Sequence, residues 1–194
     1  MTLEAPDPRV ARTRRDVVDA TTSLLLDRGW DGVTHAEVAR HSGYSKATIY
    51  THWPTRLDLI RAAIEQICDT DHHPPSTGNL GEDLRTSLRD FAVDLTEGHL
   101  DRLLAGVVER ANTSEVVRDL RGRLYETGTK GMRTILEEHL DAADIDPVLA
   151  LLTGAVLVRV TFEGVPATDS FIDDLVTRAL STVGASNRFG SLDA

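Results

Sequence analysis

Thr34-His35-Ala36-Glu37-Val38-Ala39-Arg40-His41-Ser42-Gly43-Tyr44-Ser45-Lys46-Ala47-Thr48-Ile49-Tyr50-Thr51-His52-Trp53 is the stretch on which the reading of this chain turns. It spells two short helices and a sharp corner. Thr34 stands where it can cap the free amides of the first helix, and Glu37, three residues on, is placed to reach back and close a capping box. Gly43 supplies the left-handed backbone of a tight helix stop, and Ser42 and Ala39 are small enough to sit inside the angle between two helices. Ser45 then caps a second helix whose first turn holds Thr48 rather than an acid.

At 3.6 residues per turn, Ile49 and Trp53 fall on one side of the second helix, and Ala47, Thr48 and Thr51 on the other. The first side packs. The second is small and neutral, the kind of surface that fits base edges in a major groove, and an acid-free helix start tolerates a phosphate. Lys46, Tyr50 and His52 flank it and are expected on the DNA backbone. With Thr34, His35 and Ser45 at the two helix starts and Arg56 just beyond, these residues form the expected DNA-contacting set. An ordinary helical hairpin shares the glycine corner; the caps and the bare outer side favour the DNA-reading form.

Working outward, Val17, Ala20, Thr21, Leu24 and Leu25 make a one-sided stripe that Gly29 ends, which predicts a first helix. Trp30 and Val33 are then placed to close a three-helix core. Arg9, Arg12, Arg14 and Arg15 crowd the start of that helix, where the helix dipole disfavours cations and an external anion would compensate them. Pro54 stops the reading helix, Thr55 caps a fourth, Asp58 stands where a partial capping box wants an acid, and Leu57, Ile60, Ile64 and Ile67 form its stripe. Arg56 in its first turn is expected to reach the same DNA backbone.

Residues 9 to 69 resemble the DNA-binding domain of the tetracycline repressor (TetR) family of bacterial transcriptional regulators. The resemblance rests on Arg28-Gly29-Trp30, Thr34, Val38-Ala39 and Ser42-Gly43-Tyr44-Ser45-Lys46-Ala47-Thr48-Ile49-Tyr50-Thr51-His52-Trp53-Pro54. It covers about a third of the chain and is highly specific. Tyr44 stands where that family usually has a small aliphatic residue, and Thr51 where many members carry a longer side chain.

Beyond residue 69 the pattern changes. Asp69 to Gly81 reads as a linker, and its His72-His73 pair lacks the fixed spacing of a metal site, so no metal and no cofactor is expected. Stripes at Leu84, Leu88, Phe91 and Leu95, at Leu103, Leu104, Val107, Val108 and Ala111, and at Val116, Val117, Leu120 and Leu124 predict helices five to seven. The seventh continues through Ile135, Leu136 and Leu140 despite Gly122, Gly128 and Gly131, and a bend or loosening near Gly128 is expected. Asp146-Pro147 reads as the cap and first turn of an eighth helix, apolar nearly all round, running from Val148 to about Phe162. A ninth carries Phe171, Ile172, Leu175, Val176, Ala179, Leu180 and Val183. Residues 1 to 8 and Ser186 to Ala194 read as mobile ends.

The expected fold is therefore all-α, with about nine helices: a helix-turn-helix DNA-binding domain over residues 9–69 and a helical effector-binding and dimerisation domain over 70–185. Aromatic residues make up only 5% of the chain against 41% hydrophobic, so the core must be built mainly from Leu, Val, Ile and Ala. The net charge of −10 argues against nucleic acid until its distribution is read. Residues 1 to 68 carry nine Lys and Arg against nine Asp and Glu, and the remainder 12 against 22, so the acidity lies away from the proposed reader. One cysteine, Cys68, and no cleavable signal pattern point to a reducing cytoplasm. The apolar run Val148 to Val158 falls short of the ~20 residues that cross a bilayer.

No nucleotide-binding glycine loop, His-Glu-x-x-His pair or nucleophile elbow occurs, and His41, His99 and His139 are isolated, so an enzyme is not expected. The resemblance implies a homodimer formed through the last two helices and a small-molecule pocket among helices five to eight, whose ligand releases operator DNA. Phe91, Tyr125, Arg159 and Phe162 are the candidates to line it. Arg159 needs a partner in so apolar a helix: Glu109, Glu163, a second subunit or an anionic ligand. Two alternatives remain open, a DNA-binding dimer without effector and a helical small-molecule-binding or enzymatic protein without operator binding.

Overall fold

The computed structural model describes residues 8–70 and 76–189 and, among these, forms nine α-helices and no strand. They are α1 (Pro8–Gly32), α2 (His35–Ser42), α3 (Lys46–His52), α4 (Arg56–Asp69), α5 (Leu80–Thr96), α6 (Leu100–Ala111), α7 (Glu115–Glu137), α8 (Ala142–Leu157) and α9 (Asp169–Phe189). A π-helical turn, Val158–Phe162, continues α8. Of the expected mobile ends, residues 1–7 and 190–194 lie outside the described residues, as does the His72-His73 pair, whereas Pro8 opens α1 and residues 186–189 continue α9.

Two compact units form. Of the described residues, the first holds 8–70 and 99–124, and the second 76–98 and 125–189. In the first, α1 packs on α2, α4 and α6 around a core that includes Val17, Leu24, Leu25, Ile49, Leu59, Ile60, Ile64, Leu103 and Val107. The α1 stripe was legible because its apolar residues recur at helical spacing. Gly29 takes φ 68, ψ −171, a conformation that an L side chain resists, and interrupts the helix there. The chain after it turns Trp30 inward, where the indole is buried against Gly106; a Cβ on that glycine would come within 3.0 Å of the Trp30 Cβ. The Arg110 guanidinium covers the ring at 5.1 Å. Trp30 is thus a core residue, as the sequence suggested.

The second unit packs α5 against α8 and α9. Leu84, Leu88 and Leu95 of α5, Leu149, Leu152 and Val156 of α8, and Ile172, Val176 and Ala179 of α9 are buried. Two ion pairs set the α5–α9 register: Arg85 with Asp173 at 2.7 Å and Arg89 with Asp169 at 2.5 Å. The rungs advance in opposite directions along the two helices, which therefore run antiparallel. In the α7 segment of this unit, Met132, Ile135 and Leu136 are buried.

The start of α8 corrects one expectation. Asp141, not Asp146, precedes the helix, and Pro147 lies inside it. Asp146 instead pairs with Arg133 at 2.7 Å. Only one intrahelical hydrogen bond is forgone at Pro147, and the extra turn buries Ile145 at 7% exposure. The residues of α7 are helical at Gly122, Gly128 and Gly131 alike. A Cβ at Gly128 would meet nothing within 4 Å. Gly128→Ala is therefore expected to raise stability by about 1 kcal/mol, read as a higher denaturant midpoint with unchanged m. A loss would show that the glycine is needed for a contact absent from the isolated chain.

In the first turn of α5, the buried Asp83 carboxylate accepts bonds from residues ahead of the helix: the Thr77 hydroxyl (2.7 Å), the Ser76 hydroxyl (3.0 Å) and the amides of Thr77 and Gly78. The Thr77 hydroxyl, then the other donors, hold this carboxyl below its ordinary range despite burial. A depressed folded-state pKa contributes stability above the unfolded value near 3.8 that is lost as pH falls through the folded value. Asp83→Asn is expected to unfold at lower temperature than the parent at neutral pH, and the gap to narrow progressively once the pH falls below about 4. Thermal melts at pH 7 and pH 3 check this; a gap independent of pH would remove the carboxylate from the explanation.

Candidate nucleic-acid interface

A seven-residue helix does not hold its own shape in water, so α3 must be held by its surroundings. Locally, the caps do part of this. The Thr34 hydroxyl accepts the Glu37 amide at 3.2 Å, Gly43 takes φ 76, ψ 4 and donates its N–H to the Ala39 carbonyl, and the Ser45 hydroxyl accepts the Thr48 amide at 3.1 Å. Ile49, fully buried, and Trp53 at 8% exposure then pin one side of α3 into the core.

Two further holds were not legible in the sequence. The Tyr44 hydroxyl donates to the Asp16 carboxylate of α1 at 2.9 Å, which ties the corner to the first helix. His35, expected to touch DNA, is instead buried: one ring nitrogen lies 2.7 Å from the Trp53 carbonyl, and the ring stacks on Tyr50 at 3.9 Å between centroids and 7° between planes. A side chain enclosed in this way cannot reach a groove. It fixes where Tyr50 points.

Two more expectations change. The capping box expected at Thr34 is only half made, because Glu37 turns to Arg28 (2.8 Å) and Arg40 (2.6 Å) rather than back to the Thr34 amide. Paired carboxylate geometry with guanidinium outcompetes a single amide, and the Arg40 bond above all holds the Glu37 carboxyl below its usual range. The box expected as partial, at Thr55 and Asp58, is the complete one. Arg56 turns inward to the Trp30 carbonyl and to Asp31 at 2.9 Å, which also binds Arg110 at 3.3 Å. Bonded to a carbonyl near the helix end and to an acid, Arg56 joins the start of α4 to the end of α1 rather than extending outward.

What remains outward is Lys46, Ala47, Tyr50 and Thr51, all exposed, with Thr34 and Ser45 at the helix starts. Thr48 and His52 are half-buried; the His52 ring meets the edge of Trp53 at 5.7 Å. Below them Arg14, Arg15, His52 and Arg61 line a recess of about 660 Å³ with Asp58 and Glu65. Its charges are mixed.

In the second unit, the four ligand-lining candidates differ in exposure. Phe91 is half-buried, Tyr125 is 52% exposed and Phe162 is 82% exposed. Arg159 finds its partner in Glu163 at 2.8 Å and lies 5.2 Å from the Phe171 ring. Of the four, it alone lines an open groove of about 420 Å³ floored by Ala150, Leu151, Gly154, Ala155 and Val158. The turn from α to π geometry, with the Glu163 amide bonded to Val158, rotates Phe162 into solvent.

Residues 17–63 match the profile of bacterial regulatory proteins of the tetR family, and residues 74–179 that of a tetracyclin repressor-like C-terminal domain. The chain belongs to the TetR family. Among its relatives, the HTH-type transcriptional regulator YdeS of Bacillus subtilis, itself uncharacterized, is 28% identical over 95% of this chain and 96% of its own length. The regulator Rv1556 of Mycobacterium tuberculosis, also uncharacterized, is 26% identical over 86% and 87%. Of solved structures, the TetR family transcription regulator SCO0332 superposes with a TM-score of 0.64 at 29% identity, over 88% of this chain and 97% of its own. The multidrug binding protein EbrR, solved with proflavin, shares the fold with a TM-score of 0.63 at 20% identity over 86% and 99%. This TetR-family chain is accordingly a DNA-binding transcriptional regulator and not an enzyme, and its helix-turn-helix is the α2–α3 pair.

Proposed function

We propose that the protein is a repressor that binds a palindromic operator as a homodimer, through α3 of each subunit, and is released by a small molecule. The observation that carries this is the outward side of α3. Its one fully buried side chain is Ile49, while Lys46, Ala47, Tyr50 and Thr51 face solvent and no acid occupies its first turn. Lys46 and the Tyr50 hydroxyl suit phosphates, and the small side chains between them suit base edges. Thr34, Ser45, Thr48 and His52 complete the contacting surface.

The dimer rests on α8. By length and composition alone Ala142–Phe162 passes for a membrane span, with a mean hydropathy of 1.8 in its most apolar window. Yet only 28% of that window is buried by the chain itself. Leu151, Val158 and Phe162 stand exposed on it, and Ala150 and Gly154 leave room for close approach of another helix. A second copy packed through α8 and α9 covers this surface and gives two reading helices one duplex. The proflavin complex of EbrR supports a small-molecule ligand for this architecture, and a cytoplasmic location follows from work on DNA.

Selection of duplexes from random-sequence DNA by the purified protein, followed by titration with and without candidate metabolites, tests the reading. An enriched inverted repeat, bound in a salt-sensitive way and lost in Lys46→Ala, is the expected result. Enrichment of no sequence at low salt would reject it.

A further inference from the structure

The outward side of α3 offers methyl groups where a base-reading helix more often offers a polar fork. Ala47 and Thr51 are both exposed and, four residues apart, lie on one side of the helix. Thr51 donates its hydroxyl hydrogen to the Ala47 carbonyl at 2.9 Å. The half-buried Thr48 has its hydroxyl 2.9 Å from that of Ser45. With these hydroxyls engaged inside the helix, what Ala47 and Thr51 extend is a pair of methyl groups.

In the major groove, the base-edge group that meets an apolar contact, rather than a donor or acceptor, is the C5-methyl of thymine. We propose that Ala47 and Thr51 read thymine methyl groups, so that each operator half-site carries thymine under this side of α3. The proposal rests on the docking of α3 in DNA set out above. Residues four apart on a helix are about 5–6 Å from each other, against about 3.4 Å between successive bases of a strand. The two side chains therefore cover neighbouring base steps.

The test uses the full chain and the duplex it enriches from random-sequence DNA. That duplex is resynthesised with deoxyuridine in place of every thymine, which deletes the C5-methyl and leaves base pairing and the groove donors and acceptors unchanged. Burying one methyl is worth about a four-fold change in binding, so losing two in each of two half-sites, four in all, is expected to weaken the wild type by about 250-fold. Thr51→Val keeps the methyl and is expected to retain both the affinity and the sensitivity to deoxyuridine. Thr51→Ser keeps only the hydroxyl and is expected to lose affinity on the thymine duplex and much of the sensitivity. That second loss is a readout that a general change in duplex stiffness would not produce. Equal binding of the wild type to both duplexes would overturn the proposal. So would a weakened Thr51→Val beside an unaffected Thr51→Ser, which would assign the hydroxyl lone pairs to an adenine or cytosine amino group. If no sequence is enriched at all, the docking of α3 itself fails, a result distinct from an enriched sequence that ignores its methyl groups.

Discussion

Ile49→Ala is expected to remove about 2–5 kcal/mol of stability and to abolish specific DNA binding. Ile49 is fully buried and is the one residue of α3 so placed. A helix this short has no independent stability, so its orientation depends on that side chain together with Trp53 and the His35 ring. Against the usual total of about 5–15 kcal/mol, the loss is a large fraction. The chain's two tryptophans, Trp30 and Trp53, both lie in the core of the first unit. Their fluorescence during urea unfolding therefore reports on this unit directly. Ile49→Val, which removes one methylene, is expected to cost only about 0.5–1.5 kcal/mol and to keep binding. An alanine variant as stable as the valine one would show that the core does not hold α3.

The second large effect is expected at α8. Leu151 is 45% exposed on the chain itself, so Leu151→Arg leaves the subunit's own core intact. In the proposed dimer the same residue lies in an apolar interface, where an unpaired guanidinium costs several kcal/mol. Sedimentation analysis is expected to show a monomer with an unchanged helical circular dichroism spectrum. Operator affinity is expected to fall by about 10²-fold or more, because the second reading helix no longer binds at high effective concentration. A variant that stays dimeric with parental affinity would move the subunit interface elsewhere.

These outcomes bear on how far the sequence reaches. Helix starts and stops governed by neighbours in the chain were legible: Thr34, Gly43, Ser45 and Thr55 do at their own positions what their residue types predict. So were the apolar stripes of α1, α4 and α5, because burial on one side of a helix repeats every turn. Where two local signals competed, the reading failed. Asp146-Pro147 resembles a helix start, but Ile145 gains burial if the helix begins a turn earlier. Glu37 resembles the far half of a capping box, but two arginines, one of them nine residues away, offer its carboxylate more.

Side-chain destinations were harder still. His35 and Arg56 were expected to reach DNA because polar residues beside a reading helix usually point outward. Trp53 and Tyr50 enclose the first, and Trp30 and Asp31 draw in the second. Those partners lie 15 to 26 residues away, and no local pattern encodes such a meeting. The sequence alone therefore determined the all-helical class and the small outward side of α3, since caps, periodicity and residue size act over one or two turns, and it carried the family through the resemblance of residues 9–69. Tertiary structure alone decided which polar groups stay available to a ligand, because a hydrogen bond between distant helices exists only once packing has brought its two ends together.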